Sequence, residues 1–71
     1  MRAALRKKII QVCDSKIAGK GPEVGLSFYA FFANRNDDPA LLMEAAHWWI
    51  MVHQLDHFEK AVKIKRLVEA I

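Results

Sequence analysis

Apolar positions recur at helical spacing in three stretches of this chain and alternate in a fourth. In residues 2–17, Leu5, Ile9, Val12, Cys13 and Ile17 follow at intervals of 4, 3, 1 and 4, the single stripe of an amphipathic helix. In residues 39–55, Leu41, Ala45, Trp48, Val52 and Leu55 are spaced 4, 3, 4 and 3. Asp38-Pro39 opens that stretch with a side chain able to cap free amides and a residue suited to the first helical position. In residues 57–71, Phe58, Ala61, Val62, Ile64, Leu67, Val68 and Ile71 centre on a direction about half a turn from the preceding stripe. A break near Leu55–His57 answers this change of phase, and Asp56-His57-Phe58-Glu59 has the form of a capping box. No glycine or proline occurs after Pro39, so residues 39–71 are also compatible with one long helix packed on both sides.

The fourth stretch is ambiguous. Val24, Leu26, Phe28, Ala30 and Phe32 alternate as in a strand, while Tyr29 and Phe31 make the other face apolar as well. A strand here finds no evident partner elsewhere in the chain, and its backbone groups would go unpaired. The expectation is therefore a short helix over residues 22–33, entered through Gly19-Lys20-Gly21-Pro22 and followed by a polar loop at residues 34–37. The fold class expected is all-α: one small helical domain, residues 1–71, made of four helices at about 2–17, 22–33, 39–55 and 57–71.

Composition changes this picture in one respect. Hydrophobic residues make up 54% of the chain without glycine, against about 45–50% with glycine in an average globular protein. Chains this short usually need a staple, yet the lone Cys13 excludes an internal disulfide and no Cys/His grouping has zinc-finger spacing. The apolar surplus points instead to association with another protein chain or a second copy of this one. Trp48, Trp49, Ile50 and Met51 are the candidate partner-binding residues. Adjacent tryptophans on a helix diverge by about 100°, so one can fill the core while the other anchors a partner.

Charge suggests the alternative. The net charge is +3, divided into +5 over residues 1–20, −5 over residues 21–59 and +3 over residues 60–71. Two basic ends flank an acidic middle, and residues 2–12 and 60–70 share a pattern of cations and aliphatics. Nucleic acid could be held at its phosphates by Arg6, Lys7, Lys60, Lys63 and Arg66. A helix-turn-helix is not the means, because the helix at 39–55 has acids near its start and neither lysine nor arginine.

Candidate chemistry is sparse. His53, Asp56 and His57 form His-x-x-Asp-His, which resembles over five residues the His-x-x-Glu-His of inverted zinc peptidases. On a continuous helix, His53 and His57 could share a metal, but aspartate replaces the glutamate and no third ligand is evident. Calcium is not expected either, since an EF-hand loop started at Asn34 would put Pro39 where glycine is needed and Ala45 where glutamate is needed. Cys13 lies on an apolar stripe, as a small core residue does. No catalytic site and no cofactor are therefore expected. No segment has the ~20 apolar residues of a membrane span, and the amino-terminal stretch is too charged for a secretory signal. An intracellular interaction protein is the reading that results, with cytoplasmic and organellar settings undistinguished.

Overall fold

Backbone hydrogen bonds that the sequence pattern did not foresee join the two halves of the chain. The computed structural model describes residues 1–32 and 38–71. It contains α1 (Ala3–Lys20), β1 (Gly25–Ser27), a 3₁₀ turn (Phe28–Phe31), α2 (Pro39–Ala46) continued by a π-helix (His47–Val52), β2 (Phe58–Lys60) and α3 (Ala61–Glu69). The expected all-α bundle of four helices is thus replaced by three α-helices and a two-stranded antiparallel sheet. The polar loop expected at 34–37 lies outside the described residues.

The correction begins at residues 22–33. In place of a helix, Gly25, Leu26 and Ser27 pair with Lys60, Glu59 and Phe58. The ladder is bracketed by Ala61 N donating to Val24 O and by Phe28 N donating to His57 O, both at 2.9 Å. The alternation of Val24, Leu26 and Phe28 is real strand periodicity, and the missing partner is the segment assigned above to the start of the last helix. Beyond Ser27 the 3₁₀ turn interrupts the alternation, burying Phe28 and Phe31 and leaving Tyr29 exposed.

A similar correction applies at 57–60. Glu59 reaches back to accept from the Asp56 amide at 3.3 Å, as in a capping box, but the segment it closes leads into β2. The helix starts only at Ala61, with Lys60 as its N-cap and no side-chain cap. Residues 39–71 are not one helix. The chain leaves helical geometry at His53, and Gln54 takes a positive φ of 50°, an uncommon state for a residue with a Cβ.

One core cluster unites the elements. From α1 come Leu5, Ile9 and Cys13; from α3, Ala61, Ile64 and Val68; from α2, Leu41 and Ala45. Asp38 caps α2, accepting from Leu41 N at 3.0 Å with Pro39 next to it. Helices α1 and α3 pack on each other, and Lys65 of α3 pairs with Asp14 of α1 at 2.6 Å. Trp49 is the hub of the aromatic part, with Phe28 and Phe31 ring centroids at 5.7 and 5.6 Å.

Candidate interaction surface

The π-helix decides which side chains face outward. Its hydrogen bonds span five residues rather than four, as in His53 N to Trp48 O at 3.2 Å. Each residue therefore turns through less than the ~100° of an α-helix. Two large neighbouring rings can then share the buried side, and both tryptophans do: Trp48 is 5% and Trp49 1% exposed. The same narrowing carries Val52 off the core face on which α-helical spacing had placed it, leaving it exposed. Neither indole is thus a projecting anchor. Of the residues proposed from sequence for partner binding, Ile50 and Met51 are on the surface, at 54% and 68% exposure.

Those two continue a larger face. Met43, one turn before His47, is exposed, as are Ala40 and His47 themselves. Across residues 39–53 the single charged side chain is Glu44, and Arg2 occupies both of its oxygens through the backbone amide and Nε, each at 2.5 Å. These hydrogen bonds, the backbone one foremost, hold the Glu44 carboxyl below the usual carboxylate range. The outward side of α2 and the π-helix is consequently neutral and apolar, rich in methionine, the most adaptable apolar side chain. By contrast, α1 and α3 turn lysine, arginine, glutamine and acids outward.

The cations proposed for phosphate contacts separate into two groups. Arg6 and Lys7 border a shallow depression on α1 with Asp14. Lys60, Lys63 and Arg66 border another, against Pro22 and Leu67. Lys60 is paired with Glu23 and Lys63 with Glu59, and the bond to Lys60 lowers the Glu23 pKa. Paired cations release fewer counterions on binding a polyanion.

The His53, Asp56 and His57 triplet does not sit on a continuous helix, so the i, i+4 premise for shared metal ligation fails. The His53 ring packs against Trp48 at 4.8 Å and the His57 ring against Tyr29 at 5.7 Å. The backbone carbonyl of Asp56 accepts from Trp49 Nε1 at 2.5 Å. Among the described residues, no three histidine, cysteine or acidic side chains gather as a metal site would require. Cys13 is fully buried, and burial, reinforced by the Asp14 charge, pushes its thiol pKa up to about 11. Such a thiol is inert as a nucleophile near neutral pH.

One concave feature was missed in the sequence. A cleft of ≈ 840 Å³ opens where the start of α1, the end of the chain and the π-helix meet. Met1, Trp48, Val52 and Ile71 give it apolar walls, and Arg2, Glu44, His47 and His53 give it polar groups. No periodicity signals it, because its walls come from both ends of the sequence and the middle.

Together these features define a small mixed α/β domain whose distinguishing surface is an uncharged helix face beside an apolar cleft. Residues 16–68 match the model of a family of unknown function, DUF6500, and the chain belongs to that family. No curated protein and no solved structure matches it. Among the described residues, no helix is long and apolar enough to cross a membrane.

Proposed function

We propose that this protein is a non-catalytic interaction module that pairs with a second copy of itself through the outer face of α2 and the π-helix. The observation that carries this reading is the neutral stripe Met43, His47, Ile50 and Met51, which places three exposed large apolar side chains along one helical face. A chain with net charge +3 repels its own copy over most orientations. At this face no like charges meet, so a two-fold arrangement that lays one stripe along the other buries apolar area without electrostatic cost.

The pairing is reversible rather than a condition of folding. An independent monomer of 8.1 kDa should expose about 4,500 Å², and this one exposes 4603 Å², so its core is already enclosed. A standard interface takes roughly 800 Å² from each partner. One helix face about 20 Å long offers less than that, which places the dimer among the weak, concentration-dependent ones. The unpaired, buried Cys13 accords with an intracellular setting.

Light scattering or sedimentation across a concentration series tests the reading. The mass should rise from monomer to dimer, sulfate should favour the dimer, and Met51→Lys should hold the protein monomeric. A wild-type chain that stays monomeric at high concentration, or a dimer indifferent to Met51→Lys, overturns it. The runner-up, phosphate binding by the basic ends, predicts instead retention on a polyanion that falls steeply with salt.

A further inference from the structure

The two adjacent indoles differ in one way that packing does not explain. Trp49 Nε1 donates to the Asp56 carbonyl. Trp48 Nε1 is the one buried side-chain nitrogen or oxygen without a hydrogen-bond partner among the described residues, and the residue as a whole is only 5% exposed. Buried N–H groups are almost always satisfied, so an unpaired one marks a place where an acceptor belongs. Trp48 also forms part of the wall of the ≈ 840 Å³ cleft, whose size falls within the ~300–1,000 Å³ of small-molecule sites.

The polar groups of that cleft are mostly donors. Glu44 is the sole acidic side chain lining it, and both of its oxygens are taken by Arg2. Arg2 uses its Nε in that pair, leaving the two Nη groups as a planar fork of the shape a carboxylate accepts. His47 and His53 add imidazole N–H groups. Beyond these donors, Met1, Val52 and Ile71 present an apolar wall.

We propose that the cleft binds a small amphipathic carboxylic acid, the carboxylate accepting from Trp48 Nε1 and Arg2 Nη and the apolar part lying against Met1, Val52 and Ile71. Trp48 Nε1 is itself buried, so binding requires the half-buried His53 ring, packed edge-on against Trp48, to turn aside and admit the acceptor. The cleft borders the pairing face and shares His47 with it, but Met51, the residue that tests pairing, does not line the cleft.

The test is a titration of the ¹⁵N-labelled full chain with decanoate, kept below its micellar concentration, with decanol and decylammonium as comparators. Trp48→Phe assigns the two indole N–H resonances. Decanoate should shift the Trp48 N–H downfield in a saturable manner and leave that of Trp49 in place. Decanol and decylammonium should bind at least tenfold more weakly. Val52→Glu puts a negative charge at an exposed position of the apolar wall without disturbing the core, and should weaken decanoate at least tenfold with the circular dichroism spectrum unchanged. Met51→Lys should bind decanoate as wild type does, even where it abolishes pairing. Absence of a saturable shift, equal binding of decanoate and decylammonium, or undiminished binding in folded Val52→Glu overturns the proposal.

Discussion

Gly25 and Phe58 give the most direct measure of the unexpected sheet. They stand diagonally across the ladder, because Phe58 is registered with Ser27. A Cβ built on Gly25 would lie 1.9 Å from Phe58 Cε1 and 2.2 Å from Cζ, so the ring covers the glycine as aromatic residues do across strands. Gly25→Ala must therefore push the ring away. Phe58 is 62% exposed and free to swing outward, which limits the cost to the contact it gives up. A phenylalanine buries roughly 150–250 Å² when fully enclosed; about two fifths of that at about 25 cal/mol per Å² is worth roughly 1.5–2.5 kcal/mol. Against this, replacing a glycine that does not need positive φ gains about 0.4–1 kcal/mol through the unfolded chain. The net expectation is a loss of about 1 kcal/mol in the wild type, or a fall of roughly 4–8 °C in Tm. In a Phe58→Ala background the clash is gone, and the same substitution should be neutral or stabilising by about 0.5 kcal/mol. Urea unfolding of the four variants gives the coupling directly, expected at about 1.5 kcal/mol. Equal effects of Gly25→Ala in the two backgrounds would refute the register and the ring placement together.

Two further outcomes follow from the core. Trp49→Phe removes both volume and the hydrogen bond to the Asp56 carbonyl and should cost about 2–4 kcal/mol in urea unfolding. Trp48→Phe removes an N–H with no partner and should cost at least about 1 kcal/mol less; the reverse order would show that the indole environments are misassigned. The Cys13 thiol, raised from 9.0 to about 11 in the folded protein, binds its proton more tightly when native than when unfolded. Its contribution is therefore fully present below pH 9 and lost as pH rises through 9 toward 11. Stability over that window should fall more steeply in the wild type than in Cys13→Ala, and a thiol reagent at pH 8 should react only as the chain unfolds. Identical pH slopes in the two proteins would count against a protonated, enclosed thiol.

What the sequence determined by itself is the part that depends on neighbours in the chain. The stripe Leu5, Ile9 and Cys13 marks the buried side of α1, Asp38-Pro39 marks the start of α2, and the change of apolar phase near Leu55 marks the end of helical geometry. Each follows from a period, a cap or a phase readable within a few residues. The alternation at Val24, Leu26 and Phe28 was equally visible. It was assigned to a helix because its partner lies more than thirty positions away in the sequence and has only three residues, Phe58–Lys60. Pairing of that kind has no local signature; it exists because α1 and α3, packing on each other, bring Val24 beside Ala61. The placement of the tryptophans was also beyond local inference. Counting at 100° per residue puts Trp48 and Val52 inside and lets Trp49 diverge, whereas the aromatic cluster of Phe28, Phe31 and Trp49 favours a wider turn that buries both indoles and turns Val52 out. The burial of both indoles and the exposure of Val52 are consequences of that turn, and tertiary packing alone selects it.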